Sequence, residues 1–150
     1  MKKLLLLLLI ASHFKFLYAE YFSPGIQVGI NSKIELFFSF QLTLGKRIVN
    51  DFEWTGITFG RRFYIRDRYN FTTYNYIDLQ HSFITYGAGI GIVFKESRKF
   101  IKYKLFAGFS GLLCYDFINF KNKPKNHLGV IGVTPIPVSI VAEYLPIHTF

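Results

Sequence analysis

A chain of 150 residues with 18 Lys and Arg against 9 Asp and Glu is basic, and at 51% hydrophobic and 19% aromatic it is too apolar to remain disordered. Cys114 is its single cysteine, which excludes an intrachain disulfide framework and leaves burial or a bilayer to supply stability. The length suits one domain of ordinary size.

The chain opens with Met1-Lys2-Lys3, an apolar run from Leu4 to Ala11, and Leu17-Tyr18-Ala19 ahead of Glu20. A positive start, an apolar centre and a small residue at the end are the parts of a secretory signal peptide, so residues 1–19 are expected to direct export and 20–150 to form the domain. His13 and Lys15 interrupt the apolar run well short of the ~20 residues a spanning helix needs. Residues 20–150 keep 15 cations and 9 anions, and a basic exported chain points to lipid phosphates or other anionic envelope components as partners.

Beyond residue 20 no stretch has the i, i+3, i+4 apolar spacing of a long amphipathic helix, whereas period-two alternation recurs throughout. The first strand is expected over 25–30, with Ile26, Val28 and Ile30 on one face. A three-residue loop at 31–33 would set Ile30 opposite Ile34 and Val28 opposite Leu36. The second strand, 34–45, reads IELFFSFQLTLG: its even positions are all apolar, and its odd positions are Glu35, Phe37, Ser39, Gln41, Thr43 and Gly45.

A third strand over about 53–65 puts Ile57, Phe59, Phe63 and Ile65 on its odd face and Thr58, Gly60 and Arg62 on its even one. RDRYNFTTY, 66–74, reads as a polar connection. Segment 75–94 switches apolar phase from odd at Phe83 to even at Ile84, which a one-residue β-bulge would produce, whereas 100–118 keeps one phase. A four-residue turn at 96–99 would join these two into one long hairpin. Breaks near Tyr86-Gly87 and Gly108–Gly111 would instead divide them into four shorter strands. After KNKPKNH (121–127), segment 128–141 is apolar on both faces, and Pro135 and Pro137 predict an edge or partly unpaired strand there, against perfect closure.

The expected fold is therefore all-β: a single antiparallel meander of six long or eight shorter strands, closed or nearly closed into a barrel. Helical membrane spans are not expected, because the uncharged windows 79–94, 105–115 and 126–142 each fall below ~20 residues. Whether the apolar faces meet lipid or a core is decided by the opposite faces. Ser39, Gln41, Thr43 and Gly45 suit a crowded polar interior better than a surface bathed in water, and Lys102, Lys104, Gly108, Ser110 and Asp116 on the later strands agree in part, interrupted by Phe106 and Leu112. Interior charges would need pairing, with Glu35, Glu53, Asp78 and Asp116 as the available anions.

With its signal segment, alternating strands, the aromatic strand-end run Tyr74-Asn75-Tyr76, Tyr144 and a C-terminal Phe150, the chain resembles small bacterial outer-membrane β-barrels. The resemblance implies an outer-membrane location, a lumen filled by side chains, and a structural or loop-borne role. The alternative is a soluble periplasmic or secreted β-barrel or sandwich binding a small apolar ligand.

Enzymatic chemistry is not expected. His81, His127 and His148 lack metal-ligand spacing, carboxylates are scattered, and no nucleophile-elbow, zinc-protease or phosphate-loop pattern occurs, so no cofactor is expected. The glycines of YGAGIGIV, 86–93, precede no helix and read as sites of close packing or curvature. Asn70-Phe71-Thr72 matches a glycosylation sequon. Two basic clusters are the candidate contacts with anionic lipid: Arg61, Arg62, Arg66 and Arg68, and Lys121, Lys123 and Lys125. Export argues against nucleic acid as a partner.

Overall fold

The computed structural model describes residues 19–48, 53–67, 70–108, 112–121 and 123–139, with the side chains of all of these except 66, 67, 70 and 71. The expected signal segment, Arg68, Tyr144 and Phe150 lie outside the described residues, save Ala19 at the segment's end.

Among the described residues nine strands follow in chain order: β1 Tyr21–Asn31, β2 Leu36–Arg47, β3 Glu53–Asp67, β4 Asn70–Phe83, β5 Tyr86–Lys95, β6 Arg98–Ala107, β7 Leu112–Ile118, β8 Asn126–Val133 and the short β9 Ile136–Pro137. Each of the first seven pairs antiparallel with its successor, and β1 also pairs with β8 and with β9. The sheet thus closes into an eight-stranded barrel. One end carries the connections 32–35, 68–69, 96–97 and 119–125 and is termed the mouth. The other carries the start of β1, the end of β8 and the connections 48–52, 84–85 and 108–111.

Closure corrects the expectation against it drawn from the prolines, while the edge strand they predict is present as β9. Pro135 falls in the gap between β8 and β9, and Pro137 stands in a strand that pairs only with β1, so neither is asked for a ladder hydrogen bond on both sides. The Thr134 amide donates to the Pro24 carbonyl at 3.2 Å across the interruption, and Tyr21↔Pro137 resumes the β8 register.

The long hairpin with its bulge is also corrected, in favour of four shorter strands. Ile84 and Thr85 form a two-residue turn that pairs Phe83 with Tyr86, with Ile84 left-handed at φ 43°. Phase switches at this point because a two-residue hairpin sets an odd position opposite an even one, with no extra residue needed. The next turn is Glu96-Ser97, both left-handed, rather than 96–99, and it pairs Phe94 with Lys99. Segment 70–74, read as connection, is strand paired with the end of β3.

The first hairpin keeps a three-residue loop, displaced by one residue to Ser32–Ile34. The Asn31 side-chain oxygen accepts from the Lys33 and Glu35 amides at 2.9 and 3.1 Å, which draws Asn31 into the ladder opposite Glu35. Consequently Ile30 faces Leu36 and Val28 faces Phe38. These shifts are by an even number of partners, so every side chain keeps its expected face.

Candidate functional site

Alternation assigns each strand one lumenal and one outward face, and the chemistry of the two is inverted relative to a soluble protein. Outward stand Ile26, Val28, Leu36, Phe40, Leu42, Phe59, Ile77, Leu79, Ile90, Ile92, Ile101, Leu105, Leu113, Leu128 and Val130, all exposed. Inward stand Gln27, Ser39, Thr58, Arg62, Asp78, Lys102, Lys104, Asp116 and His127, all buried.

Gln27, Arg62, Asp78, Lys102 and Asp116 form one network across the barrel, while Thr58 bonds Thr43 and His127 bonds Tyr64. Arg62 on β3 reaches Asp116 on β7 and donates to Gln27 Oε1 on β1 at 2.7 Å, while Gln27 Nε2 donates to the same Asp116 oxygen at 3.2 Å. Lys102 on β6 donates to Asp78 Oδ2 on β4 at 2.6 Å and lies 3.6 Å from the second oxygen of Asp116. Asp116 therefore serves two cations, the arrangement that lets charges persist away from water. Lys104 donates to Gln41 Oε1 at 3.3 Å, an oxygen that also accepts from Tyr76 at 3.2 Å, and Tyr76 shares a 2.9 Å hydrogen bond with Ser39.

Aromatic rings take up the remaining volume and the remaining positive charge. The Arg62 guanidinium lies 4.1 Å from the Phe37 ring centre, and the Lys102 ammonium 3.7 Å from that of Tyr76. Two residues closer to the mouth, Tyr64 hydrogen-bonds Tyr74 at 3.1 Å and His127 Nε2 at 2.8 Å, under the edge of Phe120. Glycines make room for these rings: a side chain at Gly60 would intrude on the Tyr76 ring, and one at Gly29 on both the Phe37 ring and the β8 backbone. Gly91 abuts Asp78, so the glycines of YGAGIGIV act as close-packing positions, as expected from sequence.

The lumen receives one residue assigned from sequence to lipid contact. Arg62 is fully buried in the ion network, which overturns that assignment, and its even position on β3 beside outward Phe63 is the signal that identifies it as lumenal. Its partner Gln27 was not singled out in the sequence, since a lone Gln on a short strand carries no pattern. Glu35 and Glu53, considered as lumenal anions, sit at opposite ends of the barrel instead; Glu35 accepts from Asn31 at 2.7 Å. Cys114 is buried, its thiol 3.7 Å from Asp116. Among the described residues no three His, Cys, Asp or Glu side chains gather as a metal site.

Of the other candidate lipid contacts, four lie at the mouth. Arg66 stands in the last rungs of β3, and Lys121, Lys123 and Lys125 lie exposed in the β7–β8 connection, where Lys123 approaches Glu96 at 3.7 Å. Lys33, Lys95, Arg98 and Lys99 occupy the same end, against Glu35, Asp67 and Glu96. A cavity of about 120 Å³ opens there between Lys33, Lys95, Lys123 and His127. At the opposite end, among the described residues, Arg47 pairs with Glu20 at 3.3 Å, and Lys46 and Glu53 stand at the strand ends. Arg61 belongs to neither end: it stands on the outward wall, its guanidinium 5.4 Å from the Phe63 ring centre.

Among the described residues no helix is long and apolar enough to cross a membrane, which says nothing of crossing by strands. Comparison with protein-family models, with curated proteins and with solved structures finds no match to this chain.

Proposed function

We propose that this protein is a small outer-membrane barrel that crosses the bilayer with its eight strands, has no open pore, and acts through structure or through its mouth rather than by catalysis. One observation carries the reading: the sheet turns its apolar faces outward and its charges inward. Burying Arg62, Lys102, Lys104, Asp78 and Asp116 while exposing Ile, Leu, Val and Phe side chains on every strand is costly in water. In a bilayer the same partition is the stable one. Closure supports it too, since a closed sheet leaves no backbone edge unpaired in hydrocarbon.

The lumen supports the absence of a channel, because ring stacks and ion pairs cross it at the level of Arg62 and again at Tyr64. A soluble carrier of apolar ligands needs the opposite polarity, with an apolar cavity under a charged exterior. The basic mouth suits contact with anionic envelope components, including lipid phosphates.

The test is extraction and electrophoresis. Membranes from cells expressing the full chain are washed with alkaline carbonate, and boiled and unboiled samples are compared on a detergent gel. The expected result is retention in the membrane and a faster unboiled band. Release to the soluble fraction with no change on boiling overturns the proposal.

A further inference from the structure

Along β3 the outward residues run Ile57, Phe59, Arg61, Phe63, Ile65, so a cation stands with two apolar residues on either side. No other described outward charge is so placed: Lys46 and Lys99 lie beside strand ends. Among the described side chains no carboxylate lies within ion-pair distance of Arg61, and its contact is with the Phe63 ring. Its cross-strand neighbours are Phe40 on β2 and Asn75 on β4, and Asn75 is exposed. Two rungs farther from the mouth, Leu42, Phe59 and Ile77 form the next outward row. An open groove runs over this region, walled by Phe40, Leu42, Phe59, Ile77 and Phe94, with Arg61 and Asn75 at its polar edge.

A guanidinium on a lipid-facing wall demands an anion, and the adjoining apolar groove has the chemistry of a hydrocarbon chain. We propose that this wall binds one anionic lipid, its phosphate on Arg61 and the Asn75 amide and an acyl chain along Leu42, Phe59 and Ile77. The inference rests on the membrane reading and adds to it a defined site. A water-soluble phosphate is disfavoured as occupant because apolar residues flank Arg61 in both directions along the strand. A second copy is disfavoured because the outward wall between the strand ends offers no described carboxylate to meet the cation, and two copies would bring like charges together.

The experiment uses the full chain folded in detergent micelles doped equally with phosphatidylglycerol and phosphatidylcholine, with native mass spectrometry counting retained lipids. Wild type is expected to keep one phosphatidylglycerol with about tenfold preference. Arg61→Leu is expected to lose that preference and Arg61→Lys to keep part of it. Ile77→Trp, which fills the groove and leaves the charge, is expected to reduce retention of the same lipid. Equal retention by wild type and Arg61→Leu overturns the proposal, as does a lipid-free dimer that Arg61→Leu dissolves. The unboiled band on a detergent gel reports folding of every variant. A chain that never gives it overturns the membrane reading and this site together, whereas a folded chain without lipid preference overturns the site alone.

Discussion

The two faces of β6 differ more than most pairs of proteins do. Ile101, Tyr103 and Leu105 are 47%, 47% and 58% exposed, while Lys102 and Lys104 between them are 0% and 1% exposed. Nothing but strand alternation separates them, since successive residues point to opposite sides of the sheet. The contrast teaches which face is specified and which is permissive. Arg62, Lys102, Asp116, Gln27 and Tyr64 on the lumenal face have named partners on other strands, so their identity is tied to the geometry of the whole barrel. The outward face asks only for apolar bulk, and its side chains make few contacts that another aliphatic residue could not make.

The largest break in that comparison comes from Asp116, which holds Arg62 and Lys102 at once. Asp116→Ala leaves two buried cations short of a counter-charge and is expected to cost about 3–5 kcal/mol. Urea unfolding in phospholipid vesicles, followed by fluorescence of the single Trp54 against Tyr21, measures it. A change below ~1 kcal/mol would mean that water reaches the network and screens it.

On the outer wall, Val130→Arg near the middle of β8 is expected to cost about 2–4 kcal/mol in a bilayer. The same substitution on a wall facing water would stay within ~0.5 kcal/mol. Vesicle unfolding therefore reads directly what the wall touches. Gly60→Ala probes the lumen by volume instead of charge: its methyl group meets the Tyr76 ring, and the expected cost is ~1–3 kcal/mol by the same assay.

How much of this was legible before any coordinates follows from the same division between faces. The apolar phase of each strand is written at period two, so the outward set and the all-β barrel could be read directly. Turn positions could not, because sliding a hairpin by an even number of residues preserves that phase. Asn31 decides the first turn with its side-chain oxygen, and Glu96-Ser97 the turn between β5 and β6 by adopting left-handed backbone that neither residue type advertises. The phase switch at Phe83-Ile84 was visible, but a bulge and a two-residue turn produce the same switch, and only the pairing of β4 with β5 separates them. Arg62 was legible as an inward position and was misassigned by its sequence neighbours Arg61 and Arg66. Gln27 and its hydrogen bonds joining β1 to β3 and β7 had no sequence signal, because the partners are 35 and 89 residues away.

The smallest expected effect tests whether lumenal polarity is required pair by pair or as a whole. Thr43 and Thr58 face each other on β2 and β3 and share a 2.7 Å hydroxyl hydrogen bond, with Thr58 fully buried. Thr43→Val keeps the shape and leaves the Thr58 hydroxyl unpaired, which is expected to cost ~1 kcal/mol. Adding Thr58→Val removes both polar groups together and replaces them with an isosteric apolar pair. The double variant is therefore expected to recover to within about 0.5 kcal/mol of wild type, since paired removal is nearly neutral. Midpoints of urea unfolding for the four members of this cycle give the coupling. A double variant less stable than the single one would mean that these hydroxyls serve the wider lumenal network rather than each other.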